Sequence, residues 1–231
     1  MSGAVFEVEG LRLRRGGLLL LDGGALRLGR GERVALLGPN GAGKSSLLRA
    51  LVGLDRAEAG TIRAFGAPMR GEADFREARR RVGVLLQDPD DQLFCPTVIE
   101  DVAFGPLNLG MTEAEAFARA QDTLARLALD HLAERVTHRL SGGEKRLAAL
   151  AGVLAMRPDA LLLDEPTNAL DEENHARMLD LLDGLDAAML IVSHDPRALA
   201  RLPRRAVRLR DGALEEVASP LGEISGRVAA A

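Results

Sequence analysis

The sequence predicts an α/β fold in which a mostly parallel sheet is flanked by helices. Short apolar runs alternate with segments of helical spacing at both ends of the chain, and a helical block from about residue 88 to residue 150 lies between them. The length of 231 residues is sufficient for one large domain, and 47% hydrophobic with 28% charged residues are ordinary values for a globular chain.

The first third of the chain is predicted to contain strands, one turn and one helix. The run Val5–Leu13 alternates apolar and polar residues, as a half-buried strand does, and Glu32–Leu37 is a short apolar strand. A turn is expected at Asp22–Gly24, and Ser45–Leu54 has the spacing of a helix with one apolar side. Two further predicted strands are Thr61–Phe65 and Val82–Leu86.

The remainder of the chain begins with helices and then alternates again. Thr112 and Glu115 form a capping-box pattern at the start of one helix, and Gly143–Met156 forms another. Asp171 and Asp195 are expected to cap two later helices. The predicted strands of this part are Ala160–Leu163, Met189–Val192 and a hairpin of Ala206–Arg210 with Ala213–Val217. We expect one domain, 1–217, and a short tail, 218–231.

Charge and hydropathy exclude several classes of protein. With 30 basic and 34 acidic residues the net charge is −4, which argues against a nucleic-acid-binding chain. The longest near-apolar stretch, Leu147–Met156, has ten residues, whereas a membrane-spanning helix needs about 20. The N-terminal segment lacks the apolar core of a signal peptide, and the single Cys95 excludes an internal disulfide or a multi-cysteine metal site. A cytosolic chain is therefore expected.

A glycine-rich loop follows the predicted strand Glu32–Leu37. Its residues, Gly38-Pro39-Asn40-Gly41-Ala42-Gly43-Lys44-Ser45, match the phosphate-loop pattern G-x-x-x-x-G-K-[ST] in full. Glycines let backbone N–H groups surround phosphate oxygens, and the following helix adds positive charge at its N-terminus. Lys44 would place its charge on the β- and γ-phosphates, and the Ser45 hydroxyl would ligate Mg²⁺. The loop predicts nucleotide binding.

Two acids follow a second apolar run. Asp164 and Glu165 come directly after Leu161–Leu163 and precede Pro166. Ligands bind at the carboxyl ends of parallel strands, so Asp164 could hold Mg²⁺ and Glu165 could act as a general base on the attacking water. By themselves the two acids could equally form a polar turn, and the phosphate loop in the same chain favours the functional interpretation.

A second glycine motif, Leu140-Ser141-Gly142-Gly143-Glu144, begins a predicted helix. Ser141 and Glu144 have capping-box spacing, which requires no ligand. Each glycine lowers helix propensity by about 1 kcal/mol, and the pair therefore indicates close approach to an anion. Lys145, one of only two lysines in the chain, is expected to be a solvated helix residue.

These motifs resemble those of the ABC-transporter ATPase family over nearly the whole chain. The segment Gly38–Ser45 resembles the Walker A motif of that family, and Leu161–Glu165 resembles its Walker B motif. The segment Leu140–Glu144 resembles the LSGGQ signature, with Glu144 in place of glutamine.

Three further motifs follow in the family's order. Gln87 resembles the Q-loop glutamine, Ala169-Leu170-Asp171 the D-loop, and His194 the switch histidine. Six motifs in the same order make the resemblance specific.

The resemblance implies a P-loop NTPase core with an N-terminal antiparallel β subdomain and an inserted α-helical subdomain. Residues 1–87 and 151–217 would form the core with its β subdomain, and 88–150 the helical signature subdomain. Two such chains would bind two ATP molecules between them, each on the phosphate loop of one chain and the signature of the other. Because this chain has one loop and one signature, a dimer is implied.

The resemblance also implies a role for each site residue. Glu165 and His194 would act in catalysis, and Ser45, Gln87 and Asp164 would hold Mg²⁺. The nucleotide-binding residues would be Gly38, Pro39, Asn40, Gly41, Ala42, Gly43, Lys44, Ser45, Ser46 and Arg15. The residues that meet the partner's nucleotide would be Ser141, Gly142, Gly143 and Glu144, with Asp171 in the D-loop.

The adenine site departs from the pattern of the family. ABC ATPases usually stack adenine on an aromatic residue near the N-terminal strands, but the corresponding position here is about Arg15, and the chain contains no Tyr or Trp. A guanidinium can stack on adenine. The alternative is that Arg15 is solvated and adenine is held weakly. We expect modest base selectivity.

The segments Gln87–Phe94 and Thr97–Gly110 closely resemble ATPase subunits of energy-coupling-factor importers and of cobalt or nickel importers. In those proteins this region packs against a coupling helix of a transmembrane subunit. A basic amphipathic helix would suit the acids and apolar residues here. The acids are Asp88, Asp90, Asp91, Glu100 and Asp101, and the apolar residues are Leu93, Phe94, Val98 and Phe104. The alternative is a subdomain core with a solvated acidic face.

The leading function is therefore an ATP-hydrolysing subunit that powers a membrane importer from the cytoplasmic face of the cell membrane. Its implied partners are a second ATPase chain, a transmembrane coupling subunit and a substrate-binding membrane subunit, without nucleic acid. The alternative is a soluble ABC-type ATPase acting on DNA or ribosomes, although no second cassette, long coiled coil or basic arm is present. A P-loop kinase would leave Ser141 and His194 unexplained.

Overall fold

The computed structural model describes residues 3–217, so the predicted tail 218–231 lies outside the described residues. The strands are Ala4–Arg15 (β1), Leu18–Gly29 (β2), Arg33–Leu37 (β3), Ala59–Ala64 (β4), Ala67–Pro68 (β5), Val82–Leu85 (β6), Ala160–Asp164 (β7), Ala188–Val192 (β8), Arg205–Arg210 (β9) and Ala213–Val217 (β10). The α-helices are Lys44–Leu51 (α1), Glu72–Arg79 (α2), Val98–Asn108 (α3), Glu113–Arg126 (α4), Gly142–Ala155 (α5), Glu172–Asp183 (α6) and Pro196–Arg201 (α7). Short 3₁₀ turns lie at Pro89–Asp91, Asp130–Leu132 and Thr137–Arg139.

The N-terminal strands form an antiparallel sheet in the order β2-β1-β4-β5. The turn predicted at Asp22–Gly24 is wrong, because these residues lie inside β2. Arg12 pairs with Asp22 while the residue before it pairs with Gly24, so Gly23 is left as a bulge with a φ of +81°. A glycine bulge and a glycine turn share the same sequence signal, and only strand pairing distinguishes them.

The second sheet has six strands in the order β10-β9-β3-β8-β7-β6. All neighbouring strands are parallel except the predicted hairpin of β9 and β10. Every residue of β7 and β8 is buried, as expected for strands covered on both faces. Because the strands β3, β6, β7 and β8 are parallel, their carboxyl ends meet at one edge of the sheet.

Two large apolar cores cover the two faces of this sheet, and a small third cluster packs α7 against β3 and β9. Leu161 and Leu163 of β7 belong to the core shared with the helices α3 to α6, whereas Leu162 belongs to the core shared with α1 and the N-terminal sheet. Residues of the neighbouring strand β8 alternate in the same way. Successive side chains of a strand point to opposite faces, so one short apolar run supports both layers. The predicted α/β class is confirmed.

Helices α2 and α3 were not predicted individually. Only Ala78 of α2 is buried, which leaves no apolar periodicity to detect. Helix α3 lies in the predicted helical block and begins at a capping box, since the Glu100 carboxylate accepts from the Thr97 amide (2.9 Å) and hydroxyl (2.7 Å). Within residues 3–217, no helix is both long and apolar enough to cross a membrane.

Candidate functional site

The loop between β3 and α1 requires glycine at two positions. Gly38 has a φ of +145°, and a Cβ there would lie 2.3 Å from the carbonyl oxygen of Leu209. Gly43 has a φ of +103°, and its Cβ would lie 2.8 Å from the Cβ of Leu20. Any other residue would clash with backbone or with the neighbouring strand. The backbone path of the loop therefore depends on glycine at these two positions.

Lys44 begins α1 and is buried, with 8% of the residue exposed. Its Nζ donates to the carbonyl oxygens of Gly38 (2.7 Å) and Pro39 (2.9 Å), and it lies 3.4 Å from Nε2 of His194. The loop's own carbonyls thus hold a compact cation at the place where a phosphate would bind.

Asp164 is the last residue of β7 and is buried. Burial raises the pKa of its carboxyl group, while a hydrogen bond from the Ser45 side chain and the charges of Lys44 and Arg146 oppose that rise. The hydroxyl and carboxylate that were predicted to hold Mg²⁺ therefore interact with each other.

Glu165 follows Asp164 with a φ of +49°, a backbone conformation that is uncommon for a residue with a side chain. Its amide donates to the carbonyl of Val192 (2.8 Å), and its carboxylate accepts from the amide of His194 (3.1 Å). Burial raises the pKa of this carboxyl group, with the His194 hydrogen bond opposing it. A held carboxylate with increased proton affinity suits a general base.

His194 follows β8 and has a side chain that is 45% exposed, with its Nε2 3.6 Å from Oε1 of Glu165. The adjacent Asp195 is held by the buried His175 of α6 (2.5 Å) and by the Thr167 hydroxyl (2.9 Å). Asp195 also caps α7, as predicted. No sequence pattern indicates His175 or Thr167, because their contact with Asp195 joins separate segments of the chain.

A cavity of about 720 Å³ brings most of the predicted nucleotide and catalytic residues together. The predicted residues that line it are Arg15, Asn40, Gly41, Gly43, Lys44, Ser45, Ser46, Gln87, Asp164, Glu165 and His194. Leu18, Leu20, Asn168 and Val192, which were not predicted, line it as well. Gly38, Pro39 and Ala42 shape the loop without lining this cavity.

The signature residues and Asp171 do not line that cavity. Ser141 caps α5, since its Oγ accepts from the Glu144 amide (3.2 Å) and its own amide donates to the Glu144 carboxylate (2.7 Å). A Cβ on Gly143 would lie 2.8 Å from the Asn174 side-chain amide, so a larger residue here would displace that side chain of α6. Gly142 has open space around its Cβ position. Its contact with a partner's nucleotide stays a prediction.

Asp171 has the helix-capping role predicted for it, whereas Lys145 does not have the solvated position expected of it. Asp171 caps α6 by accepting from the amide of Asn174 (2.8 Å). The expectation of a solvated Lys145 is wrong, because its Nζ pairs with Asp90 at 2.6 Å and the side chain is only 17% exposed. This ion pair joins the start of α5 to the loop after β6.

The oxygen atoms of Ser45, Gln87 and Asp164 suit Mg²⁺, which is usually held by one or two protein oxygens together with substrate phosphates. Across residues 3–217 no group of three or more His, Cys, Asp or Glu side chains is placed to hold a metal by itself. The donor set therefore fits a magnesium ion that arrives with a nucleotide.

The buried lysine on a glycine loop and the acid pair at the end of β7 define a nucleotide-hydrolysing protein of the P-loop class. The family model described as ABC transporter matches residues 21–168. The chain belongs to the ABC transporter family and is an ATPase.

Curated relatives of high identity extend over most of the chain. A Brucella suis protein, provisionally named an ABC transporter ATP-binding protein, is 55% identical over 91% of this chain and 87% of its own length. The cobalt import ATP-binding protein CbiO of Rhodobacter capsulatus is 50% identical over 85% of this chain and 72% of its own.

Solved structures share the fold. Clostridium perfringens cbiO1, part of the ABC transporter complex cbiONQ, has a TM-score of 0.83 and 32% identity over 97% of this chain and 92% of its own. The ATP-binding cassette MJ0796, in a dimeric post-hydrolysis state bound to ADP and Pi, has a TM-score of 0.83 and 26% identity over 92% of this chain and 97% of its own.

Proposed function

We propose that ATP hydrolysis by this chain powers a membrane importer of the energy-coupling-factor or cobalt/nickel type, at the cytoplasmic face of the membrane. The observation that carries this proposal is an apolar groove beside the loop that holds Gln87, with two exposed phenylalanines at its edge. The cobalt-import name of the CbiO relative supports the same assignment.

In the proposed reaction, Lys44 and the loop amides hold the phosphates, and Arg15, which lines the same cavity, would contact the base. Bound Mg²⁺, held by Ser45, Gln87 and Asp164, would neutralise charge on the β- and γ-phosphates. Glu165 takes a proton from the water whose oxygen attacks the γ-phosphorus, as the bond to ADP breaks. His194 is placed beside both Glu165 and Lys44 to contact the γ-phosphate.

We further propose that the functional unit is a dimer of ATPase chains. Ser141, Gly143 and Glu144 line neither the nucleotide cavity nor the adjoining one, which Gly142 lines together with Ser45 and Gln87. A second chain would give these four signature residues a nucleotide to contact. The dimeric state of MJ0796 supports this arrangement. Each chain would comprise a core of 1–87 and 151–217 and a signature subdomain of 88–150 in one domain, 1–217.

The groove lies between the loop after β6 and the helices α3 and α5. The rings of Phe94 and Phe104 meet edge to face with centroids 4.7 Å apart, and these residues are 62% and 43% exposed. Ala148 and Gly152 of α5 also line the groove. Val98, expected to be a surface anchor, is instead fully buried in the core. Exposed aromatic pairs of this kind are typical of protein interfaces.

Acidic groups adjoin this groove, although fewer are free than the sequence suggested. Asp90 pairs with Lys145 and Glu100 caps α3. Asp101 is buried, and its Oδ1 accepts from the amides of Phe94 and Cys95. Its Oδ2 has no partner among residues 3–217. We propose that a basic amphipathic helix of a transmembrane coupling subunit docks here, beside a substrate-binding membrane subunit.

Membrane association tests this assignment. We expect Phe94→Asp to lower the amount of the chain that sediments with membranes about tenfold or more, because interface aromatics carry much of the binding energy. Leu54→Asp is the matched control, since Leu54 is 48% exposed and lies outside the groove. Both variants should keep the ATPase activity of the purified chain. Equal sedimentation of the two variants, or recovery of the chain with DNA or ribosomes, would overturn the proposal.

Nucleotide competition tests the base site. Arg15 and Leu18 line the cavity, and Leu18 is 64% exposed. Contacts of this kind recognise a flat ring without reading its hydrogen-bonding edge, so we expect GTP to bind within about tenfold of ATP. Arg15→Ala should weaken both nucleotides equally, whereas the control Arg12→Ala, which removes an exposed pair with Asp22, should weaken neither. A GTP affinity more than about a hundredfold below that of ATP would contradict this expectation.

A further inference from the structure

Arg146 lies one turn inside α5, and only 3% of it is exposed. Its guanidinium donates from Nη1 to the carbonyl of Leu86 and from Nη2 to the carbonyl of Gln87, both at 2.6 Å. The cation therefore contacts two successive carbonyls of the loop after β6, and two parallel bonds from a planar fork restrict that loop more than one bond does.

The same guanidinium also interacts electrostatically with acidic side chains in and beside the nucleotide site. Burial lowers the pKa of Arg146, and the charges of Asp164, Asp88 and Glu165 oppose that fall. Asp164 in turn feels the positive charge of Arg146. The Arg146 guanidinium thus donates hydrogen bonds to the loop of Gln87 and interacts electrostatically with Asp164 and Glu165.

Other contacts hold the beginning of this loop but not Gln87 itself. The Leu86 amide donates to Oε1 of Gln92 (2.7 Å), and the Gln92 amide group donates to the carbonyl of Val84 (2.8 Å). The Gln87 side chain lines the nucleotide cavity from an exposed position. The contact with Arg146 joins Gln87 itself to α5, and the Lys145–Asp90 ion pair joins the same loop to α5 three residues further on.

We propose that Arg146 is a positioning residue, which holds the backbone of Gln87 at the edge of the nucleotide cavity. Through this contact, the position of Gln87 depends on the position of α5, the helix that begins with the signature residues. The effect on hydrolysis rests on the role of Gln87 under the proposed function. The effect on the loop does not, so the two can be tested separately.

Hydrogen exchange of the nucleotide-free chain tests the hold on the loop. Lysine keeps the charge but replaces the planar fork with one ammonium nitrogen on a shorter side chain, so Arg146→Lys should speed exchange in a peptide covering 84–93 about tenfold. Arg177→Lys is the matched control, because Arg177 also donates to two successive carbonyls, those of Leu127 and Ala128, but lies outside the site. Unchanged exchange at 84–93 in Arg146→Lys would overturn the proposal.

A double-mutant cycle tests transmission to the nucleotide site. Arg146→Lys should raise the Mg²⁺ concentration for half-maximal ATPase activity about tenfold in the wild-type background and much less in a Gln87→Ala background. Equal effects in both backgrounds would show that Arg146 does not act through Gln87. If Gln87→Ala by itself leaves the Mg²⁺ dependence unchanged, the proposed role of Gln87 fails, and hydrogen exchange still decides whether Arg146 holds the loop.

Discussion

The variant Glu165→Gln is expected to bind ATP normally and to lose turnover by about a hundredfold or more, because an amide cannot accept the proton of the attacking water. Glutamine keeps an oxygen that can accept from the His194 amide, so the local backbone should be unchanged. ATP binding by equilibrium titration and phosphate release in single-turnover experiments measure the two effects. The ATP-bound dimer should accumulate in this variant.

The control for this substitution is Glu113→Gln. Glu113 is an exposed first-turn residue of α4, and its neutralisation should leave turnover unchanged. Hydrolysis at the wild-type rate by Glu165→Gln would show that Glu165 is not the general base.

The same variant has a predicted effect on stability. The folded-state pKa of Glu165 is raised above its ordinary value, so its contribution to stability is complete below the unfolded-state pKa and is lost as the pH rises through the folded-state pKa. Glu165→Gln should therefore have a higher free energy of unfolding than the wild type at neutral pH and an equal one near about pH 3. Urea unfolding at the two pH values measures this difference, and an equal difference at both would contradict it.

The variant Ser141→Arg is expected to abolish dimer-dependent hydrolysis while leaving ATP binding to the single chain intact. Ser141 lies outside the nucleotide cavity of its own chain, so its change should not alter binding there. The bulk of arginine would occupy the space in which the partner's nucleotide must approach Ser141, and overpacking of about 3 kcal/mol should weaken dimerisation about a hundredfold. Sedimentation of Glu165→Gln with and without Ser141→Arg, in the presence of ATP, measures the fraction of the chain that is dimeric.

Thr112→Arg is the control for Ser141→Arg, because it removes a helix cap without changing the proposed dimer interface. Thr112 and Glu115 form the same capping box at α4 that Ser141 and Glu144 form at α5. Both substitutions should lower the free energy of unfolding by about 1 kcal/mol. Only the substitution at Ser141 should change ATPase activity, and equal activities of the two variants would rule out a role for Ser141 in the dimer.

The phosphate loop and the strand-end acids could be predicted because their chemistry depends on neighbours in the chain. Gly38 and Gly43 are required by local φ values, and Asp164 follows a run of residues that is buried on both faces. Helix α2 could not be predicted because it buries only Ala78, and the bulge at Gly23 resembles a turn until its pairing partner is known.

The sequence by itself determined the class of this protein, since Gly38–Ser45, Asp164 and Glu165 are patterns of adjacent residues that phosphate chemistry requires. Only the tertiary structure decided what supports them. Arg146 reaches a loop about 60 residues away and His175 reaches Asp195 from another helix. Such contacts leave no periodicity or spacing in the sequence. They form only after the parallel strands have brought their carboxyl ends to one edge of the sheet. At that edge, any buried side chain of suitable charge and length can pair with a carbonyl or carboxylate.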